Sequence, residues 1–330
     1  MAGYLPPFDI TAKMLSVATS ITEKIGRLRE YHNLEAKPYL RRSNRIRTIQ
    51  SSLSIEANSL SLAEVRDVIA GRAVYGPENE IQEVRNAFEA YEKISEIDPY
   101  SIDDLKEVHG IMTKGLIRRS GNFRNGEEGV FDGDKVIFVA PPPGQVPSLM
   151  ADLFGWMKAA SKELSPLILS SVFHYEFVFI HPFADGNGRM ARLWQTAILS
   201  KWREAFLYLP VESWIEKEQS GYYKAIAECN SAGNSTIFIE FMLERIDRAL
   251  DEVLEQAKSK DGYVSEYVGR LLYVMEYEVP YTANGIMDKL GLKSKETFRK
   301  NYLHPAMEMD LVEMTEPDKP SSRNQRYVKK

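Results

Sequence analysis

The chain has 330 residues, of which 44% are hydrophobic and 27% are charged, as in an ordinary globular protein. This composition excludes a fibre or a mainly disordered chain, and the length favours one large domain with a smaller one appended. A formal net charge of −5 argues against non-specific binding to nucleic acid or to an anionic membrane as the main activity, because both need a basic surface.

The N-terminal residues lack a basic region followed by an apolar run, and no stretch approaches the roughly 18 apolar residues that span a bilayer. Cys229 is the only cysteine of the sequence, so it supports neither a disulfide framework nor a thiolate metal cluster. A single cysteine fits a reducing compartment. We therefore expect a cytoplasmic protein with no membrane partner.

Apolar residues recur mostly three and four positions apart, which predicts a mainly α-helical fold with about ten helices. Capping boxes mark two helix starts, Ser61 with Glu64 and Ser101 with Asp104. In each box a serine oxygen can accept a bond from a backbone amide that the helix leaves free. We assign residues 1–100 to an N-terminal helical arm.

Residues 121–144 are the exception to the helical pattern, because Gly-rich turns flank the run Val-Ile-Phe-Val-Ala and an Asp-Gly pair precedes it. This pattern predicts one β-hairpin, closed by a proline run, that can serve as a lid. The helical pattern then continues to a polar stretch near residues 258–262, where we place a domain boundary. Residues 101–258 form the central domain in this interpretation.

Residues 262–330 contain two predicted short helices, separated by a Gly-Leu turn and followed by a segment typical of a short hairpin. Helix, turn, helix and wing is the order of a winged-helix domain. The tail has 11 Lys and Arg against 10 Asp and Glu, so its net charge is only +1. DNA is therefore a possible partner with weak support.

The segment HPFADGNGRMAR, residues 181–192, places a glycine-rich loop between two predicted helices. The residue before proline is disfavoured in the α region, so one helix is expected to end at His181 and the next to begin around Arg189. Free backbone N–H groups and the positive end of a helix dipole bind anions such as phosphate. Gly186 and Gly188 permit positive φ and close approach of the backbone to a ligand.

Four side chains of this segment carry the chemistry of a nucleotide site. His181 can take a proton from a hydroxyl at neutral pH, since the pKa of an imidazole lies near 6.5. Asp185 is a hard oxygen ligand suited to Mg²⁺, which usually accompanies nucleotide phosphates. Arg189 and Arg192, three residues apart, share a helix face and can hold further phosphate oxygens.

The same segment resembles the core motif of the Fic family, His-Pro-Phe-x-Asp-Gly-Asn-Gly-Arg-x-x-Arg, with every defining position occupied. The resemblance runs from about residue 40 to 250 and includes the hairpin region and the segment that begins at Gly221. It implies a Fic-type helical bundle with one β-hairpin flap, and a catalytic core over residues 101–258. It also implies transfer of AMP from ATP, with Mg²⁺, to a Ser, Thr or Tyr hydroxyl of a target protein and of the chain itself.

Carried over by position, the resemblance implies that His181 is the general base and that Asp185 holds Mg²⁺ between the α- and β-phosphates. The remaining nucleotide contacts that it implies are Gly186, Asn187 and Gly188 for the α-phosphate, Arg189 for the β-phosphate, Arg192 for the γ-phosphate, and Tyr222 and Asn230 for adenine and ribose. The flap residues that it implies are Val130, Phe131, Asp132 and Gly133, which would pair with the extended main chain of the target.

A second resemblance lies upstream, where residues 52–58, SLSIEAN, are similar to the inhibitory motif of the family, with Ala57 in place of the usual glycine. The motif residues are Ser52, Glu56 and Asn58. The resemblance implies that Glu56 forms a bidentate pair with Arg192 and keeps the γ-phosphate from its productive position. Inhibition would then act within one chain, and Glu56→Gly would raise the activity by an order of magnitude or more.

Several alternatives remain open at this point. The same loop can serve a transferase with another nucleotide donor, an enzyme that removes AMP with Glu56 activating a water, or a DNA-binding regulator that acts through the tail. Phosphoryl transfer is disfavoured, since the toxin branch of the family has lysine where Gly188 stands. Asp185 can be only a helix cap, and Tyr222 can be only core packing. Relatives often form homodimers, so we expect a homodimer.

Overall fold

The computed structural model describes residues 4–30, 38–132, 135–258, 266–276, 279–309, 311–317, 319–320 and 322–329. They form two compact units, one made of Met1–Arg29 with Arg42–Val253 and the other of Glu30–Arg41 with Leu254–Lys330. None of the helices described here is long and apolar enough to cross a membrane. The division of the sequence at residues 100 and 258–262 stays a prediction.

The first unit is helical apart from one hairpin, which confirms the predicted fold class. Its helices are α1 (Ala12–Glu30), α2 (Pro38–Ile55), α3 (Leu62–Ile69), α4 (Glu78–Glu92), α5 (Ile102–Met112), α6 (Val146–Ala160), α7 (Pro166–Ile180), α8 (Asn187–Trp202), α9 (Val211–Lys217), α10 (Gln219–Ala232) and α11 (Thr236–Lys258), of which α1, α2 and α11 extend past the limits of the unit.

Helix starts follow the capping pattern of the sequence. At α3 the Ser61 side chain accepts from the backbone N–H of Glu64, and the Glu64 carboxylate accepts from that of Ser61 at 2.8 Å, so the box is complete. At α5 the Ser101 side chain accepts from the backbone of Asp104 at 3.2 Å. The return bond differs from the prediction, because the Asp104 carboxylate accepts from the backbone N–H of Asp98 at 2.7 Å.

The core of the first unit is built around α7, which is buried on nearly every side and packs along α8. Its large buried side chains include Phe173, Phe177 and, on α8, Trp194. Burial of a side chain of this size stabilises the fold by about 1.5–3 kcal/mol. The loop that joins α7 to α8 therefore starts and ends on helices of the buried core.

The predicted hairpin consists of β1 (Gly129–Asp132) and β2 (Lys135–Val139). The strands are antiparallel, and their register pairs Gly129 with Val139, Val130 with Phe138, Phe131 with Val136 and Asp132 with Lys135. A bulge lies between Val130 and Phe131. Gly133, one of the predicted flap residues, lies outside the described residues.

The second unit contains α12 (Glu266–Val274), α13 (Ala283–Leu290), a helical stretch made of α14 (Lys295–Thr297), a π-helical turn (Phe298–Leu303) and α15 (His304–Glu308), and an antiparallel pair made of β3 (Val312–Met314) and β4 (Tyr327–Lys329). The two predicted helices and the hairpin are present, and α12 was missed. Gly291, with φ of 69°, ends α13 at the predicted Gly-Leu turn. The assignment of this unit as a winged helix stays a prediction.

Candidate functional site

The loop between α7 and α8 reverses the chain through two residues in the left-handed region. His181 ends α7 with φ of 52°, and Gly186 precedes α8 with φ of 79°. Phe183 lies between them and is fully buried in the core. The second helix begins at Asn187, two residues before the predicted start, because the turn at Gly186 already sets its first turn.

The Asn187 side chain closes this loop. Its Nδ2 donates to the carbonyl of Phe183 at 2.8 Å, and its Oδ1 accepts from the backbone N–H of Phe183 at 2.9 Å. The amide thus serves the loop rather than an open surface, and its predicted contact with the α-phosphate stays a prediction. The backbone N–H groups at the start of α8 still lack acceptors within the helix and can face an anion.

His109 of α5 packs against the loop between α7 and α8. Its ring stacks on Phe183 with centroids 3.6 Å apart. Because the backbone N–H of Gly121 donates to its Nδ1 at 2.9 Å, the proton is on Nε2, which donates to the carbonyl of Asp185 at 3.0 Å. Burial lowers the pKa of His109 to about 4, so the ring is neutral at pH 7. It holds the loop as a structural group.

His181 is half-buried, and burial lowers its pKa below the ordinary value of an imidazole. A hydrogen bond to the Val178 backbone and the negative charge of Glu128 act in the opposite direction and do not cancel the effect of burial. The ring is therefore neutral at pH 7, which is the form that can accept a proton.

Arg192 is buried on α8 and is held by residues 52–58, the segment that resembles the inhibitory motif. Its Nε donates to Ser52 Oγ at 3.0 Å, and its Nη2 donates to the Ser52 carbonyl and to Glu56 Oε1, both at 2.8 Å. The expectation of a bidentate pair with Glu56 is wrong, because only one carboxylate oxygen and one guanidinium nitrogen meet. Ser52 takes the other bonds, and Nη1 is buried with no hydrogen-bond partner among the described residues.

The Glu56 carboxylate also covers the start of α8. A Cβ placed on Gly188 would lie 2.2 Å from Glu56 Oε1. Real Cβ atoms do not approach so closely, so only glycine leaves room for the carboxylate here. An anionic oxygen thus already sits against the N-terminal turn of α8, where the helix dipole favours negative charge.

Arg189 is held by two carboxylates. Its Nη1 donates to Glu83 Oε1 at 2.9 Å, its Nη2 donates to Asp185 Oδ2 at 2.7 Å, and its buried Nε has no partner among the described residues. Glu83 Oε2 accepts from Asn58 Nδ2 at 2.8 Å. Residues 52–58 therefore reach Arg189 through Asn58 and Glu83, in addition to their direct contact with Arg192.

Ala57 follows Glu56 with φ of 69°, in the left-handed region that favours glycine. The inhibitory motif of the Fic family has glycine at this position, and the structure supplies the reason. Alanine accepts the same turn at a cost of about 1–2 kcal/mol. The departure from the motif changes the stability of the turn and leaves its geometry in place.

Comparisons with known proteins show which family this chain is similar to. The sequence pattern of the Fic/DOC family matches residues 99–199, and that of the filamentation induced by cAMP protein Fic-like C-terminal domain matches residues 266–328. A crystal structure of a Fic family protein from Desulfovibrio desulfuricans G20 is 44% identical, covers 99% of this chain and 98% of its own, and superposes with a TM-score of 0.74. The chain belongs to the Fic family.

Curated relatives of this Fic protein include the protein adenylyltransferase Fic of Drosophila grimshawi, 31% identical over 70% of this chain and 48% of the relative. The protein of the same name from Culex quinquefasciatus is 29% identical over 70% of this chain and 46% of the relative. The chain spans about half the length of the curated relatives it matches. Fic-1 of Caenorhabditis elegans, 22% identical with a TM-score of 0.64, shows the same fold.

Two predicted nucleotide contacts of this Fic protein form hydrogen bonds with side chains of α7. Tyr222 is 2% exposed, and its hydroxyl bonds with His174 Nε2 at 2.9 Å. Asn230 Oδ1 accepts from the hydroxyl of Tyr175 at 2.9 Å. Their contacts with adenine and ribose stay predictions. The neighbour Tyr223 is 46% exposed, and its hydroxyl donates to the Ile55 carbonyl at 3.3 Å.

Asp185 is the one predicted metal ligand, and its carboxylate is 48% exposed. No group of three or more His, Cys, Asp or Glu within the described residues has the geometry of a protein-made metal site. Mg²⁺ keeps several waters and binds through one or two carboxylates together with substrate phosphates. A single exposed carboxylate beside an anion site therefore fits a Mg²⁺ ion that arrives with a nucleotide.

Two of the residues that build this site carry no signal in the sequence. Glu83 is one of several glutamates on α4, and His109 lies in no recognisable motif. Both act across long sequence separations, Glu83 on a residue 106 positions away and His109 on one 76 positions away. Only tertiary packing brings them to the loop.

The pairing of the flap residues Val130 to Gly133 with a target chain stays a prediction.

Proposed function

We propose that this Fic protein is a protein adenylyltransferase that transfers AMP from ATP to a Ser, Thr or Tyr hydroxyl of a target protein and of itself. One observation carries the proposal: the carboxylate of Glu56 lies against Gly188 and on Arg192 at the N-terminus of α8, so the loop is an anion site. The names of the curated relatives support the choice of AMP as the transferred group.

Buried nitrogen atoms support the same proposal. Arg189 Nε and Arg192 Nη1 are both buried without partners among the described residues. An unpaired buried donor costs about 1–3 kcal/mol, and more on a charged group. Unpaired donors on two cations favour an anionic ligand at the start of α8. The two arginines therefore fit a triphosphate better than they fit a neutral ligand.

In the proposed mechanism, neutral His181 accepts the proton of the target hydroxyl. The hydroxyl oxygen attacks the α-phosphorus and forms the new O–P bond, while the bond from that phosphorus to the bridging oxygen breaks and pyrophosphate leaves with its electron pair. The backbone N–H groups of Asn187 and Gly188 stabilise the charge on the α-phosphate, and Arg189 and Arg192 hold the β- and γ-phosphates. Asp185 would hold a Mg²⁺ ion that arrives with the nucleotide, and the ion would neutralise part of the phosphate charge.

Autoinhibition is part of the proposal. Glu56 and Ser52 occupy three bonds of Arg192, and Asn58 with Glu83 occupies Arg189. A γ-phosphate must displace the Glu56 carboxylate before it can bind Arg192. We expect low activity in the wild type and strong activation by Glu56→Gly.

The proposal also includes a cytoplasmic location, a winged-helix fold for the second unit and a homodimer. The second unit supports the winged helix by its order of helices and its terminal strand pair. Its net charge of +1 over residues 262–330 gives DNA binding weak support.

The experiment is an intact-mass measurement of Glu56→Gly after incubation with ATP and Mg²⁺. The protein should gain the mass of one or more adenylyl groups. Glu56→Gly/His181→Ala should gain none, whereas Glu56→Gly/His304→Ala, a matched change at an exposed histidine of the second unit, should behave like the parent. No mass gain in the parent, with or without candidate targets present, would contradict the proposal, and a gain only from another nucleotide would reassign the donor.

A further inference from the structure

Arg124 lies just before the hairpin, and the residue is 4% exposed. All of its hydrogen bonds go to backbone carbonyls. Its Nε donates to the carbonyl of His181 at 2.6 Å, its Nη1 donates to that of Gly126 at 2.8 Å, and its Nη2 donates to those of Pro141 and Ile180. A buried cation with this set of partners is specialised for holding the main chain.

The bonds to Ile180 and His181 reach the last carbonyls of α7, which have no donors within the helix. The negative end of the helix dipole favours a cation at this place. No carboxylate among the described residues forms an ion pair with Arg124. Burial lowers its pKa, and Glu128 and Glu127 act in the opposite direction. Its charge is thus balanced mainly by carbonyl dipoles and the end of α7.

Arg124 also fixes the backbone on which the imidazole of His181 depends. His181 is one of two non-glycine residues with positive φ among those described, a conformation that costs about 1–2 kcal/mol. The Arg124 side chain bonds the carbonyl of His181, and the Arg124 backbone N–H bonds that of Pro182 at 2.9 Å. The two bonds fix consecutive peptide groups that orient the ring.

The remaining bonds reach the two ends of the hairpin. Gly126 precedes β1 by three residues, and Pro141 follows β2 by two. One guanidinium therefore joins the base of the flap to the backbone of His181. Lysine can replace it only in part, since a single ammonium cannot spread its donors over carbonyls on three segments.

We infer that Arg124 is a positioning residue for the transfer, which holds the backbone of His181 and both ends of the flap in one arrangement. A target chain paired with the flap then presents its hydroxyl to the imidazole at a fixed distance. This inference rests on the proposed function. A misplacement of about 1 Å between reacting groups can reduce a rate about 100-fold.

The inference has a consequence for the pH dependence of the transfer. The charged groups that act on His181 are Glu128 and Glu56, which raise its pKa, and Arg124, which lowers it. In Glu56→Gly, Glu128 is the remaining one of the two carboxylates that raise the pKa of His181. Removal of the Arg124 cation should then raise the pKa of His181, so that the acidic limb of the pH profile moves to higher pH. Arg124→Lys keeps the cation and should leave the limb in place.

The test compares Arg124→Met and Arg124→Lys, both in Glu56→Gly, with Arg118→Met as a matched control at an exposed arginine nearby. Initial rates of AMP incorporation are measured as a function of pH at saturating ATP. Calorimetry gives the affinity for ATP, and thermal unfolding gives the midpoint temperature of each variant. Arg124→Met should lose about 100-fold in rate and shift the acidic limb, while its ATP affinity stays within about threefold. Arg124→Lys should recover part of the rate without a shift.

Rates equal to that of the parent in both variants would overturn the inference. So would a loss of rate, ATP affinity and thermal midpoint in parallel with an unmoved pH limb, since that is the result of a general loss of structure. If Arg124→Met does not fold, Arg124→Lys decides by its rate at unchanged ATP affinity. Absence of transfer in the Glu56→Gly parent would refute the proposed function itself, and the inference with it.

Discussion

Removal of the Glu56 charge and removal of its whole side chain should each raise the transfer rate. Glu56→Gln and Glu56→Gly separate the two effects. The contact between Glu56 Oε1 and Arg192 Nη2 measures 2.8 Å, with the arginine side chain 1% exposed and the carboxylate 33% exposed. Hydrogen bonds of this charged kind contribute about 1.5–3 kcal/mol, and partial exposure of the carboxylate favours the middle of that range. About 2 kcal/mol in favour of the closed state leaves roughly one molecule in thirty competent.

The expected increase on Glu56→Gly is therefore about 30-fold at saturating ATP. Glu56→Gln keeps the size of the side chain and removes its charge, so we expect an intermediate rate. Glu89→Gln, at an exposed position of α4, is the matched control and should leave the rate unchanged. The assay is the initial rate of incorporation of AMP from labelled ATP into the protein.

Two results would refute this reasoning. Equal rates for the wild type and Glu56→Gly would show that the contact with Arg192 does not control the reaction. A fast Glu56→Gly beside a Glu56→Gln as slow as the wild type would show that the bulk of the side chain over Gly188, rather than its charge, sets the rate.

Three further predictions concern stability. Ala57→Gly relieves the strain of a residue with φ of 69° and should stabilise the protein by about 0.5–1 kcal/mol, once the greater conformational freedom of the unfolded chain is subtracted. Urea unfolding should show a higher midpoint concentration at an unchanged slope, and a lower midpoint would contradict the prediction. Asn187→Ala leaves the backbone N–H and carbonyl of Phe183 unpaired and should cost about 2–3 kcal/mol in thermal unfolding, whereas an unchanged midpoint would show that the amide does not hold the loop. Burial lowers the pKa of His109 to about 4 and that of His174 to about 3, so the unfolded chain binds more protons below pH 6.5 and stability should fall toward pH 4. Each histidine accounts for about 2 kcal/mol between pH 7 and pH 5, and equal urea stability at the two values would contradict its buried neutral state.

Local sequence features predicted much of the fold and of the loop. Pro182 marks the end of α7, the glycines mark the turn, and the hairpin follows from its turn residues, because each of these effects acts within a few residues of its cause. The start of α8 at Asn187 was placed two residues late, since the pattern alone does not show that Gly186 already adopts the left-handed conformation of a cap.

Contacts between distant segments were not accessible in the same way. Glu83 and His109 have ordinary sequence surroundings, and their roles depend on which guanidinium or backbone the fold brings to them. The side chain of Asn187 illustrates the opposite case, since the motif suggests a ligand contact and the structure uses the amide within the loop. The bidentate pair expected for Glu56 fails for the same reason, because Ser52 competes for the donors of Arg192.

The position of the label in ATP tests the central claim most directly. Glu56→Gly is incubated with Mg²⁺ and ATP labelled at either the α- or the γ-phosphorus, and the denatured protein is then counted. Attack at the α-phosphorus predicts that the α-label stays on the protein and that the γ-label leaves with pyrophosphate. Retention of the γ-label, or no retention of the α-label, would contradict the assignment of the loop as an adenylyl-transfer site.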